Sequence, residues 1–467
     1  MEMQRQRRDE CNTFAGMMDT LGVNHQMFSF LSTNDWMNLR LVDKATLAAV
    51  TTAPFDHIDT RVLQEDLWFA CYPKAVAANF SFRTRPFDLS NPIIANLTTL
   101  NLCCSRFLTD SDCLNFSNIR KVNVSHTSIT DDALSHLTRV EDLDVSHCPY
   151  VTGEAFVTLG FIGNLKKLVA SSCPLLDGSY LAELSNLEDL NVGKCPGVLD
   201  VHLGDLRLHS LCVTDNEQIK VIPPGLKSVW MNNCGVTTLT VQNVDMLCVS
   251  PDIVTDAAIS KLGGVKHFII AGRDFLVRDI PYDEPICRMT NMGLKHLAGI
   301  KCLGMMKFPC PGVTDAGFAH LGSLIKLSIV RWNHITDAAL EYLPNLQDLN
   351  ISECDGIVGT VIPKLKNLQN LDVSYASSFD VDNLVLPSRM ITLDVSGLDI
   401  TDEHVARFPK GLSQLIMASC ELVTEASIPH CLDLEFLEIV DCPNIKLTEA
   451  VKEQLRKIPD VYFGWVE

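Results

Sequence analysis

Cysteine and histidine are the residue types in this sequence that most readily bind metal ions or act as nucleophiles, and the chain contains 18 of the first and 13 of the second. Zinc sites usually place two cysteines two residues apart, and the sequence has no C-x-x-C pair. The phosphate loop G-x-x-x-x-G-K-S/T, the H-E-x-x-H helix and the G-x-S-x-G turn are also absent. The sequence therefore predicts no catalytic residue, no metal site and no cofactor, and a protein that is not an enzyme.

Seven cysteines share one position of a repeated pattern, three residues after an aliphatic residue. They are Cys148, Cys173, Cys195, Cys234, Cys354, Cys420 and Cys442. Other repeats place Ser105, Thr127 or Asn216 at this position. Such a position favours a small side chain that tolerates burial and forms a weak hydrogen bond with loop backbone. We interpret the thiols as structural rather than as metal ligands.

Pairs of threonine and an acid recur at a second fixed position of the pattern. They begin at Thr109, Thr130, Thr255, Thr314, Thr336, Thr401, Thr424 and Thr448. Threonine is a good helix N-cap, and an acid in the first turn is stabilised by the positive end of a helix. We therefore interpret these acids as helix-capping residues, and not as catalytic acids or bases.

The repeated pattern itself begins with L-x-x-L-x-L/V, in which each Leu can be another aliphatic residue. Its starts are Leu97, Ile119, Val140, Leu165, Leu187, Leu208, Leu226, Val244, Val265, Ile300, Leu324, Leu346, Leu368, Met390, Leu412, Leu434 and Ile458. The alternation predicts a strand, which is followed by a turn and a capped helix. The short repeats from Leu208 and Leu226 lack the helix signal, so we expect extended or 3₁₀ structure there. The long interval after Val265 indicates an insertion near 273–288.

These units resemble leucine-rich repeats of the cysteine-containing subtype, L-x-x-L-x-L-x-x-C followed by I-T-D-x-x-L. The resemblance implies an α/β solenoid over residues 97–467, with about sixteen repeats, a parallel β-sheet on the concave face and helices on the convex face. One unit cannot bury its apolar edge alone, so stacking must stabilise it.

The segment MFSFLSTNDWMNLRLVDK, from Met27 to Lys44, resembles the F-box, with Trp36 and Asp43 as departures from its pattern. The resemblance implies a helical domain at 17–58 that docks on the adaptor protein of an SCF ubiquitin ligase. The charged residues before it predict a flexible segment at 1–16. The adaptor-contacting residues would be Phe28, Phe30, Leu31, Leu39, Leu41 and Val42. Alternatively, these residues form the core of a helical pair that only caps the solenoid. Residues 59–96 are predicted to be a linker and N-terminal cap.

Charge and hydropathy restrict the partners and the compartment. The sequence has 38 basic and 57 acidic residues, a net charge of −19, which is the wrong sign for binding nucleic-acid phosphates. Its polar start and the absence of an apolar run of 18 residues predict neither a secretory leader nor a membrane span. We therefore expect a cytoplasmic or nuclear protein with reduced thiols.

The variable positions of the strands predict where a partner binds. Acids prevail near both ends of the concave face, whereas its middle is apolar. We predict a partner-binding site at Trp230, Met246, Ile269, Met306, Asp189 and Asp348. Such a site would take a protein segment with an apolar anchor and basic flanks. Alternatively, the insertion at 273–288 folds over this patch and buries it.

The domain order favours one function over another. An F-box followed by leucine-rich repeats implies the substrate-recognition subunit of an SCF-type cullin–RING ubiquitin ligase, which binds the adaptor, and through it a cullin, at one end and a protein substrate on the arc. The alternative is a non-catalytic interaction scaffold, or a subunit of a larger complex, unrelated to ubiquitination.

Overall fold

The structure is a computed structural model that describes residues 75–82, 89–157, 163–271, 287–306, 308, 310–382 and 384–463. The F-box-like segment 17–58 and the insertion up to residue 286 lie outside the described residues, so the predictions made for them are not tested. The chain divides into two compact units, the first ending at Pro223 and the second beginning at Pro224.

The described part of the first unit contains seven parallel strands in chain order. They are β1 Ala77–Asn79, β2 Thr99–Asn101, β3 Lys121–Asn123, β4 Asp142–Asp144, β5 Lys167–Val169, β6 Asp189–Asn191 and β7 Ser210–Cys212. Each strand pairs in register with the next, so that Leu143, for example, lies opposite Leu168. The central residue of each strand is buried and the residues on either side of it point to the opposite, open face.

The described part of the second unit contains eleven parallel strands. They are β8 Ser228–Met231, β9 Met246–Val249, β10 His267–Ala271, β11 Cys302–Met306, β12 Lys326–Val330, β13 Asp348–Asn350, β14 Asn370–Asp372, β15 Thr392–Asp394, β16 Gln414–Ile416, β17 Phe436–Glu438 and β18 Asp460–Tyr462. Strands β10, β11 and β12 extend to five residues, and their extra pairs, Ala271–Met306 and Met306–Val330, continue the parallel ladder.

Short helices on the other side complete the repeats. The α-helices of the described residues are Asp131–Leu134, Asp256–Ile259, Asn291–His296, Asp337–Leu340, Asp402–Ala406 and Glu449–Leu455. The 3₁₀ helices are Ile94–Asn96, Asp110–Asn115, Glu154–Val157, Gly178–Glu183, Asp200–His202, Pro251–Ile253, Asp315–His320, Ile362–Lys364 and Glu425–His430. Five of the eight predicted threonines cap a helix through the side chain: Thr130, Thr255, Thr336, Thr424 and Thr448.

This arrangement is the leucine-rich-repeat fold, and it confirms the predicted repeat at each of its seventeen starts. The two short repeats contain no helix after their strands, at the described residues 213–227 and 232–245. This agrees with the missing helix signal. Strand β1 lies inside the segment 59–96 that was predicted to be a linker and cap, so the repeat begins earlier than residue 97.

The predicted structural role of the thiols is confirmed, with a defined partner. The sulfur of Cys195 donates to the carbonyl of Ala170 at 2.9 Å, and that of Cys173 to Val145 at 3.1 Å, in each case the preceding repeat. Burial raises the pKa of Cys173 to about 12 and that of Cys195 to about 11, so both thiols keep their protons. The thiol of one repeat therefore connects that repeat to the backbone of the preceding one by a hydrogen bond. We call this series of contacts the thiol ladder.

Candidate protein-interaction surface

The open face of the second unit carries two rows of side chains, because parallel strands in register place equivalent residues side by side. The first row is formed by the first residue of each strand: Ser228, Met246, His267, Cys302, Lys326, Asp348, Asn370, Thr392, Gln414, Phe436 and Asp460. We call the other row the third row, because it is formed by the third residue of each strand: Trp230, Cys248, Ile269, Gly304, Ser328, Asn350, Asp372, Asp394, Ile416, Glu438 and Tyr462.

A groove of about 370 Å³ runs along these rows from Ile269 on β10 to Ile416 on β16. Gly304 forms its hollow, since it presents no side chain between Ile269 and Ser328. A Cβ at Gly304 would lie 3.4 Å from Cγ2 of Ile269, so a larger residue would fill the space beside that side chain. The groove therefore has an apolar side chain at each end, Ile269 beside Gly304 and Ile416 on β16, with asparagine and aspartate side chains between them.

Three of the predicted partner-binding residues come together at one end of this face. Trp230 on β8 and Ile269 on β10 lie in the third row on either side of Cys248, and Met246 lies in the first row of the strand between them. Trp230 is half-buried, and Cys248 beside it is only 6 % exposed. Among these residues, Ile269 lines the groove.

The remaining predicted residues do not join that cluster. Met306 is the last residue of β11 and pairs with Val330, one step beyond the third row. Asp189 lies on β6 of the first unit. Asp348 lies at the middle of the groove, but the Nζ of Lys326 is 3.0 Å from its Oδ2 and the Asn370 amide donates to its Oδ1. The predicted acid beside the apolar patch is therefore neutralised by its own neighbours.

Several side chains of the third row also support the backbone at the end of their strand. Asn350, Asp372 and Asp394 each accept a hydrogen bond from the backbone N–H two residues later, at 3.0, 3.0 and 2.9 Å. This contact ends the strand in an Asx turn. The residue after the one that donates the N–H adopts a positive φ in many repeats, for example 55° at Tyr375. The recurring spacing N/D-x-S, as in NIS and DVS, is the sequence signal for this turn.

Comparison with solved structures finds leucine-rich-repeat proteins among the matches. It is similar to a chain of the TLR13–ssRNA13 complex at 17 % identity and TM-score 0.44, over 88 % of this chain and 58 % of that chain. It is also similar to a chain of the mouse RP105/MD-1 complex, at 11 % identity and TM-score 0.46, over 90 % of this chain and 80 % of that chain. A chain of the yeast Rad7 and Elc1 complex matches at 13 % identity and TM-score 0.35, over 73 % and 81 %.

This chain spans about three fifths of the matched chain of the TLR13–ssRNA13 complex. No family model matches the sequence, and no curated protein matches it significantly. In the described part of the chain, no helix is long and apolar enough to cross a membrane.

Proposed function

We propose that this protein is a non-catalytic recognition subunit that holds a segment of a partner protein in the groove of β10–β16. The observation that carries the proposal is the groove itself, which lies on the face that the sheet leaves open and whose hollow depends on Gly304. Trp230 and Met246 continue the apolar surface beyond Ile269, which supports an apolar anchor in the partner.

We further propose that the recognition subunit belongs to an SCF-type cullin–RING ubiquitin ligase. The support for this step is the F-box-like sequence from Met27 to Lys44 in front of the repeats. In this function, the chain makes and breaks no bond. It raises the local concentration of a substrate lysine near the ubiquitin-conjugating enzyme, which the adaptor and cullin hold.

The adaptor half is tested by mixing the full-length protein with the SCF adaptor and measuring the mass of the complex by light scattering. We expect a 1:1 complex that is lost in Leu31→Asp and in Leu41→Asp. Leu175→Asp is the matched control, because Leu175 is an exposed leucine of the repeats, 56 % accessible. Lack of a complex, or equal loss in all three variants, would favour a scaffold unrelated to ubiquitination.

The groove half is tested by quantitative mass spectrometry of proteins that copurify with the tagged chain in its cell of origin. Gly304→Leu should fill the hollow, and Trp230→Ala should remove a contact with the partner's anchor. Each substitution should weaken the binding of the partner by about 1–2 kcal/mol. Adaptor recovery serves as the internal standard. A partner that is recovered equally with wild type and both variants does not use this groove.

A further inference from the structure

The last four strands of the second unit carry a patch of the open face that the apolar-anchor site does not use. Its eight side chains, from the first and third residues of β15 to β18, are Thr392, Asp394, Gln414, Ile416, Phe436, Glu438, Asp460 and Tyr462. We call them the acidic patch, because three of them are carboxylates and none is basic.

Within the described part of the chain, no basic side chain pairs with the charges of this patch. Elsewhere on the face, Lys326 pairs with Asp348, and on the first unit Lys167 lies 4.0 Å from Asp142. Asp394, Glu438 and Asp460 make no ion pair with any described residue. Asp394 accepts from the backbone of Ser396 at 2.9 Å, which brings no positive charge. Burial raises the pKa of Asp394, and the charges of Asp372 and Glu438 raise it further, so a cation at this place would relieve a real electrostatic cost.

The apolar members of the patch lie where the stem of a long cationic side chain would pass. Ile416 is directly opposite both Asp394 and Glu438 in the third row and is half-buried. The two carboxylates are therefore two strand spacings, about 10 Å, apart. Phe436 lies two residues before Glu438 on the same face, and Tyr462 beyond it is 57 % exposed. Arginine and lysine combine an aliphatic stem with a charged head, and aromatic rings attract that head.

We infer that the acidic patch binds an arginine or lysine side chain of the partner segment, with its stem on Ile416 and its cation between Asp394 and Glu438. The inference rests on the proposed function, since the same segment would place its apolar anchor in the hollow beside Gly304. The groove is continuous between the two positions, with Asp394 and Ile416 lining its far end. The occupant is thus a basic polypeptide segment and not an acidic or phosphorylated one.

Strand spacing sets the distance between anchor and cation. Five strand steps separate Gly304 on β11 from Ile416 on β16, which is about 24 Å at about 4.8 Å per step. An extended chain advances about 3.4 Å per residue, so about seven residues would separate the apolar anchor from the basic residue.

The test uses a phage-displayed library of random 16-residue peptides selected on the full-length protein and read by deep sequencing. Four proteins are compared: wild type, Asp394→Asn/Glu438→Gln, the groove variant Gly304→Leu, and Glu403→Gln/Asp433→Asn. The last pair consists of exposed acids off the open strand face, and it removes the same formal charge. Circular dichroism and thermal unfolding confirm that each variant is folded.

We expect wild type and the charge-matched control to enrich peptides with Arg or Lys about seven residues from an apolar residue. The patch variant should bind those peptides about tenfold more weakly, as measured by fluorescence anisotropy, and should lose the preference for basic residues. If the patch variant keeps that preference, or the control loses it equally, the inference is wrong while the groove stands. If wild type and Gly304→Leu enrich no peptide or the same peptides, the groove itself is wrong.

Discussion

Asp256 accepts two hydrogen bonds from Thr290, one from the backbone N–H at 2.8 Å and one from the hydroxyl at 2.6 Å, although the two residues are 34 positions apart. Asp315 makes the same pair of contacts with Thr336, only 21 positions away, in an uninterrupted repeat. The first acid of one helix thus accepts two hydrogen bonds from the threonine that begins the next helix. We call this contact the bracket. The repeats on either side of the insertion are joined in the same way as the others.

The bracket predicts that Asp256→Ala lowers the free energy of unfolding by about 2–3 kcal/mol, because two hydrogen bonds to a carboxylate are lost at once. The measurement is urea unfolding monitored by circular dichroism. Asp252→Ala is the control, since Asp252 is an exposed acid four residues earlier, and it should change stability by less than about 0.5 kcal/mol. Equal effects of the two substitutions would show that the bracket contributes nothing.

The aliphatic spacing was sufficient to predict the strands, because the burial of a strand's central residue depends on a pattern of only a few positions. It missed β1, where Ala77 and Ala78 stand in place of larger aliphatic residues and give no periodic signal. It also assigned the acid of each Thr-Asp pair to its own helix alone. The partner of Asp256 lies in the next repeat, and a pattern confined to one repeat cannot show that contact.

The candidate site was predicted in part for a similar reason. Trp230, Met246 and Ile269 are neighbours because stacked repeats place equivalent positions together, which the alignment of repeats can show. The charge of Asp348 could not be judged from its own strand, because Lys326, one strand away, neutralises it. The position of a residue within its repeat therefore identifies the face on which it lies. Ion pairs between neighbouring strands decide which charges on that face can bind a partner.

The thiol ladder predicts that Cys195→Ala destabilises the protein by about 1–2 kcal/mol. The substitution leaves the carbonyl of Ala170 without its buried donor and removes the packing of a sulfur atom. Cys212→Ala is the matched control, because Cys212 is a half-buried cysteine on the open face of β7. Chemical denaturation of both variants provides the comparison, and a Cys195→Ala midpoint at or above that of Cys212→Ala would contradict the prediction.

The stacked rings of His126 and His147 predict a pH dependence. Their centroids are 4.1 Å apart, and the pKa of His147 is lowered first by burial and then by the charge of His126. Because the folded pKa lies below the unfolded value of about 6.5, the unfolded chain binds more protons, and stability falls as the pH drops below about 6.5. His126→Phe keeps a ring in the stack but removes the charge, so the pKa of His147 should rise in an NMR titration. An unchanged titration would assign the whole shift to burial.

Cys442 differs from the other recurring thiols and should be the one that reacts. It is half-buried, and a hydrogen bond from Cys420 lowers its pKa to about 7, whereas burial raises the pKa of Cys354 to about 11. Since the thiolate is the nucleophile, iodoacetamide at pH 7.5 should label Cys442 well before Cys195 or Cys354. Peptide mass spectrometry against time measures the three rates.

The cause of that reactivity can be separated from exposure. Cys442 lines a surface cavity together with Ile439, Pro443 and Ile445. Cys420→Ala removes the hydrogen-bond donor but leaves Cys442 in this position. The pKa of Cys442 should then rise, because burial still acts on it, so its labelling at pH 7.5 should slow by several-fold and the midpoint of its labelling rate against pH should move upward. Slower labelling with an unchanged midpoint would mean that the substitution closes access to the sulfur, and that its neighbour does not set its pKa.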